Sequence, residues 1–287
     1  MTDLRRLPTK KREWIRLIDE LGLRPSKGRG QNFLLDPEVI HAIAKSADVS
    51  RDDLVIEIGP GLGILTQELL NRAGSVTAIE IDALLAPHIR ATFGDLSQFT
   101  LVEGDALAVD FAELSHGRPY RIVANLPYSA GAAIVNRVLA TGGPLRTATV
   151  MLQKEVGKRI LAEPPDMSIL AVAVQVMASG WENFVVPPEA FWPPPTVDSI
   201  VITLEPHPEP LVDADEQAAF FALVNSGFRH KRKNLANSLH DETRIAKSEI
   251  TAILESAGID PNRRAQTLAV EDWLGLFAEW KRAAPQP

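Results

Sequence analysis

From Asp36 to about Leu204, short β-branched apolar runs alternate with longer stretches of helical period, and this alternation constrains the fold more than any other feature of the chain. Strands alternating with helices bury both faces of a mostly parallel sheet, so an α/β fold is predicted. The expected strands are 54–58, 76–79, 100–102, 121–124 and 147–152. Two closing strands follow at 181–186 and 200–204, joined by the proline-heavy run PPEAFWPPPTVDS. Asp36 before Pro37 reads as the N-cap and first residue of a helix reaching Ala47. Ligands of such sheets gather at the carboxyl ends of the strands, so the turns after each strand carry the functional reading.

Past the sheet region, Pro206, Pro208 and Pro210 forbid regular structure for several residues, and everything beyond reads as helical. There Val270, Trp273, Leu274, Phe277 and Trp280 recur at the spacing of a core stripe. The division expected is a basic extension over 1–25, a sheet domain over 26–206 and a small all-α domain over 207–287. The 287-residue chain is 45% hydrophobic, ample for sizeable cores, and contains no cysteine. That excludes disulfides, thiolate metal sites and a nucleophilic thiol, and a cytoplasmic location is expected. The longest apolar run, 169–178, is interrupted by Gln175, so no membrane association is expected.

A net charge of -7 argues at first against a nucleic-acid partner. The charge is uneven, however: residues 1–34 hold nine Lys or Arg against four acids. A second basic knot runs through Arg229, His230, Lys231, Arg232 and Lys233. Charge runs are usually solvated faces, but Lys27, Arg29, Arg229, Lys231, Arg232 and Lys233 are the candidates for RNA contact, expected to flank the site.

The site itself begins at Glu57-Ile58-Gly59-Pro60-Gly61-Leu62-Gly63, between a strand and a helix, where glycines let a ligand approach the backbone. The spacing is G-x-G-x-G, and Ile64 occupies the sixth position of a dinucleotide fingerprint. No G-x-x-x-x-G-K-[ST] occurs, so a nucleoside without a phosphate chain fits best. Glu80 ends the second strand, placed to accept from ribose hydroxyls, and Asp105 after the third can accept from an exocyclic amine. S-adenosylmethionine has this profile.

Asn125-Leu126-Pro127-Tyr128 follows the fourth strand. Transfer to a base amine needs its two hydrogens accepted so that the nitrogen lone pair points at the methyl group. Asn125 Oδ1 and the Leu126 carbonyl can do this, with Pro127 stiffening the loop and Tyr128 stacking on the base. The plain alternative is an ordinary strand-to-helix turn. The six histidines are scattered, and no metal site is expected.

With these residues in place the chain resembles the small-subunit ribosomal RNA adenine dimethyltransferases. The motifs that carry the resemblance are Gly30-Gln31-Asn32-Phe33-Leu34, EIGPGLG, IEID, GDA, NLPY, FWPPPTVDS and the C-terminal FRHKRKNLANSL, together spanning roughly 24–285. The resemblance implies a class I methyltransferase (Rossmann-like) sheet with an antiparallel last strand. It implies donor contacts at Gln31, Asn32, Leu34, Gly59, Gly61, Glu80, Asp105, Ala106 and Asn125. Phe191 is expected either to support the base from the side opposite Tyr128 or to pack within its loop. The resemblance further implies dimethylation of two adjacent adenosines near the 3′ end of 16S RNA in an immature 30S subunit, by an enzyme expected to be monomeric. The chain departs from the family in its short loop 163–168, in Ser129-Ala130-Gly131 after NLPY, and in Thr196, where a basic residue is frequent. Two rivals share many features: large-subunit adenine methyltransferases of the macrolide-resistance type, and a non-catalytic RNA-binding assembly factor.

Overall fold

In the computed structural model the described residues are 7–8, 10–23, 32–141 and 143–283. The elements of the sheet region are α1 (Lys11–Glu20), β1 (Phe33–Leu34), α2 (Pro37–Ser46), β2 (Leu54–Ile58), α3 (Ile64–Arg72), β3 (Ser75–Glu80), α4 (Leu85–Phe93), β4 (Phe99–Glu103), α5 (Phe111–Leu114), β5 (Tyr120–Asn125), α6 (Gly131–Ala140) and β6 (Leu145–Gln153). There follow α7 (Lys154–Ile160), α8 (Ile169–Gln175), β7 (Ala178–Val186), β8 (Phe191–Trp192) and β9 (Ser199–Pro206), then α9 (Gln217–Phe228), α10 (Leu235–Thr243), α11 (Lys247–Ser256) and α12 (Val270–Ala283).

Seven strands form one sheet in the order β4-β3-β2-β5-β6-β9-β7. The pairs β2–β3, β2–β5, β3–β4 and β5–β6 are parallel, and β9 runs antiparallel to β6. This is the fold expected, and each expected strand is present, 54–58 with the same bounds and the others slightly wider. All five residues of β2 are buried, as a strand covered on both faces requires. On one face Ile134, Val135 and Val138 of α6 meet Ile58, Ile122, Ala148, Val150 and Leu204 from the sheet. Asp36 caps α2, accepting from the Glu38 and Val39 amides.

The contacts divide the chain into two compact units. One comprises the described part of Met1–Gly157 with Gly180–Pro206, and the other Lys158–Ser179 with the described part of His207–Pro287. Residues 158–179 therefore pack with the helices, whereas the sequence reading left them in the sheet domain. The reason lies in α8, whose Ala171 and Val172 join Phe220, Val224, Leu239, Leu254 and Trp273 in the helical core. Leu276 takes a buried place in α12 that the sequence stripe had given to Leu274, which is only partly buried.

The basic extension also differs from a solvated tail. Trp14 and Ile18, one helical turn apart on α1, are buried in the core of the sheet unit, with Leu17 and Leu21 beside them. A short antiparallel ribbon, β1 with β8, pairs Phe33 with Trp192 and Leu34 with Phe191. Local periodicity could not reveal it, because its two strands lie far apart in sequence.

Candidate functional site

A cavity of about 440 Å³ opens at the carboxyl ends of the central strands of the sheet unit. Its lining comes from β1 (Phe33, Leu34), the glycine loop after β2 (Gly59, Pro60, Gly61), the end of β3 (Glu80, Ile81, Asp82) and the run after β5 (Asn125, Leu126, Pro127, Tyr128), with Asn32 and Glu57 also present. Glu57, Glu80, Asp82 and Tyr128 are the titratable residues of the described lining, which contains no Lys, Arg or His. A cavity whose titratable wall is acidic and holds no base favours a cationic ligand over a phosphate.

The loop has this shape because Gly61 sits at φ +58° and Gly63 at φ +85°, both in the left-handed region. A Cβ on Gly63 would stand 2.5 Å from the Phe93 ring, so glycine there permits α3 to start against α4. Gly61 in turn donates its amide to Glu80 Oε2 at 3.2 Å. The Asp82 amide donates to Oε1 at 2.9 Å, so Glu80 is held from both sides with further acceptor lone pairs free. Burial pushes the Glu80 carboxyl above its ordinary range, against the pull of these two amides.

Glu57 lies deeper, only 1% exposed. Burial, with a smaller push from the negative Glu80, raises its carboxyl to about 8. The Thr66 hydroxyl on α3 lies near enough to offset part of this rise, yet Glu57 Oε2 and Thr66 Oγ1 both stay without a hydrogen-bond partner among the described residues. The sequence reading quoted Glu57 in the glycine loop motif and gave it no role. An acid inside the otherwise apolar strand LVIEI was the available signal.

Asn125 ends β5, and its side chain makes no hydrogen bond among the described residues while lining the cavity. Tyr128, by contrast, is tethered: its hydroxyl lies 2.6 Å from Ser199 Oγ at the start of β9. Burial raises the Tyr128 hydroxyl above its usual range, so it stays a neutral phenol. Ser199 belongs to the FWPPPTVDS motif, and the sequence reading assigned it nothing.

The structure therefore gathers Asn32, Leu34, Gly59, Gly61, Glu80, Asn125, Leu126, Pro127 and Tyr128 around one cavity. Asp105 and Ala106 follow β4 but are not among the lining residues; Asp105 Oδ1 accepts from the Leu107 amide at 2.9 Å. Phe191, expected to support a base, is instead 1% exposed and packed in the hydrophobic core, because pairing with β1 turns it inward. Gln31, Lys27 and Arg29 lie outside the described residues. Among the described residues no cluster of His, Cys, Asp or Glu could hold a metal ion.

In the helical unit the basic knot is largely countered by acids of α10. Lys233 pairs with Asp241, His230 Nε2 lies 3.2 Å from Glu242, and Arg229 is 3.9 Å from Glu242. The Lys233 ammonium holds the Asp241 carboxyl below its ordinary range. Lys231 and Arg232 are exposed with no ion pair among the described residues.

Residues 24–282 match the family of ribosomal RNA adenine dimethylases. The chain is 42% identical over 263 residues to a ribosomal RNA small subunit methyltransferase A of Clostridium perfringens, covering 91% of this chain and 92% of that protein. It is 41% identical over 271 residues to the protein of the same name from Moorella thermoacetica, covering 91% and 94%. Among solved structures, it resembles a dimethyladenosine transferase from Plasmodium falciparum, with a TM-score of 0.73, 25% identity and coverage of 86% and 97%. It also resembles the 23S rRNA methyltransferase ErmE, with a TM-score of 0.70, 29% identity and coverage of 87% and 100%.

Proposed function

The chain belongs to the ribosomal RNA adenine dimethylase family, and from that premise we propose that it uses S-adenosylmethionine to dimethylate N6 of two adjacent adenosines near the 3′ end of small-subunit ribosomal RNA. The observation that carries this reading is the free Asn125 amide beside the tethered Tyr128, at the mouth of a cavity walled by carboxylates. The donor fits that wall: it is a nucleoside bearing positive charge and no phosphate, and the unpartnered Glu57 Oε2 is a buried acceptor on the wall. When bound, the donor supplies an electrophilic methyl group.

The residues of the chain do the rest. Glu80, fixed by the Gly61 and Asp82 amides, keeps acceptors for the ribose hydroxyls. Asn32, Leu34 and Gly59 line the same wall. Asp105 and Ala106 extend the subsite from the neighbouring strand, with Gln31 as a further donor contact. Asn125 Oδ1 and the Leu126 carbonyl accept hydrogens from the base amine, which orients the nitrogen lone pair without removing a proton first. Tyr128 offers its ring to the flipped base, which leaves its stack at a cost of a few kcal/mol. Phe191 acts as a support behind β1, holding Leu34 against the cavity by strand pairing.

Relatives named for the small subunit are about 40% identical over nine-tenths of the chain, which supports that subunit as the substrate. The likeness to ErmE favours a second reading, a large-subunit target. Lys231 and Arg232, with Lys27 and Arg29, are proposed to meet RNA phosphates. We place the enzyme in the cytoplasm, working as a monomer on an immature 30S particle; the cysteine-free composition is consistent with that location. Labelled donor supplied with purified unmethylated small and large subunits in separate reactions tests the substrate. Label in the small subunit alone is expected, and label in the large subunit alone would shift the reading to the second target.

A further inference from the structure

We propose that Glu57 is a proton-linked donor-binding residue: neutral in the free protein, it ionises when the cationic donor enters, so that donor uptake releases a proton. This rests on the reading of the cavity as the donor site. The geometry carries it. Glu57 is the penultimate residue of β2, between two buried parallel neighbours, paired with Ala78 of β3 and Val123 of β5, neither of which can stabilise a charge. It is almost completely buried, lines the cavity, and leaves Oε2 without a hydrogen-bond partner among the described residues. An ionised carboxylate so placed would lack hydration and hydrogen bonds together, a state that proteins avoid by holding the proton.

The groups around it reinforce this. At the end of β3 and just past it stand Glu80 and Asp82, both acids lining the same cavity. From α3 comes only the Thr66 hydroxyl, and from the end of β5 only the neutral Asn125 amide. His88 of α4 has Nε2 3.3 Å from the Leu62 carbonyl in the loop, and burial lowers its proton affinity, so it provides no countercharge. The charged residue at the far end of β5, Arg121, is 3.2 Å from Asp53 and occupied there. No described lining residue is cationic, so the positive charge that ionises Glu57 must arrive with the ligand. The proton leaves the carboxyl for solvent, and the carboxylate remains opposite the bound cation. Burial that raises the free carboxyl to about 8 keeps it protonated at neutral pH, consistent with the geometry.

Calorimetric titration of the whole protein with S-adenosylmethionine tests this, in buffers of different ionisation enthalpy. At about pH 6.5 the observed enthalpy should vary with buffer enthalpy with a slope near one proton released per donor bound, falling towards zero by about pH 9. The Glu57→Gln protein should show a slope near zero at both. In the unaltered protein, donor affinity should rise by up to tenfold per pH unit between about pH 6 and 7 and flatten above about pH 8; this arm stands even if the variant does not fold. Binding with no buffer dependence and a flat affinity, or an undiminished slope in Glu57→Gln, overturns the proposal while leaving the donor site intact. An absence of any binding heat or affinity would overturn both the proposal and the reading beneath it.

Discussion

Tyr128 and Asn125 stand three positions apart on one loop, yet only the tyrosine is tethered, its hydroxyl 2.6 Å from Ser199. A residue that must accept from a mobile base amine gains from an uncommitted amide, and a stacking ring gains from a fixed plane. Asn125→Ala should therefore lower methyl transfer by about 100-fold or more while donor binding stays measurable, read by label incorporation and by calorimetry. Ser199→Ala should cost less, about tenfold at most, because one hydrogen bond contributes roughly 1 kcal/mol. Its effect should vanish in a Tyr128→Phe background, since both changes remove the same bond.

Glu57 gives a stability signature in the free protein. Its folded carboxyl is raised above the unfolded value of 4.5. The folded state therefore holds the proton more tightly, and stability is fullest below that value and drains away as pH rises towards about 8. Glutamine mimics the neutral acid, so Glu57→Gln should gain on the unaltered protein steadily between pH 5 and 8 in thermal melts. A gap independent of pH would contradict the buried neutral acid. Glu80 and Asn125 were legible in sequence because each stands at the carboxyl end of an apolar strand. Phe191 was not: an aromatic among prolines reads as available, and only the ribbon with Leu34 shows it buried.

At the scale of elements, the strand-helix alternation was legible because buried parallel strands are continuous apolar runs, such as the fully buried β2. The mostly parallel character of the sheet followed from the same pattern, while the strand order β4-β3-β2-β5-β6-β9-β7 is read from the structure. What escaped were pairings between remote segments, β1 with β8, and the destination of α8. Helix α1 is dominated in sequence by its Lys and Arg residues, although Trp14 and Ile18 share its buried face. The junction from β2 to α3 makes the most specific demand on a residue. Gly63→Ala would strain a φ of +85° and drive a Cβ to 2.5 Å from Phe93, itself buried in the core. A loss of about 2 kcal/mol in urea unfolding is expected, together with weaker donor binding; an unchanged midpoint would show that the loop can shift.

For the whole molecule, the net charge of -7 says little about RNA, since the positive charge is concentrated and partly neutralised. Asp241 and Glu242 answer three of the basic residues at 229–233, leaving Lys231 and Arg232 exposed. Replacing Lys231 and Arg232 by Ala should reduce the slope of log affinity against log salt by about one per residue. Lys233→Ala should reduce it less, because Asp241 already answers that charge. Equal losses for all three, measured by RNA binding across a salt series, would contradict this division. The most direct test of the central claim is chemical: unmethylated small subunits incubated with the protein and labelled S-adenosylmethionine, followed by mapping of the modified bases. The expected result is N6,N6-dimethyladenosine at two adjacent positions near the 3′ end, absent with Asn125→Ala. Methylation elsewhere, or RNA binding without any methyl transfer, would contradict it.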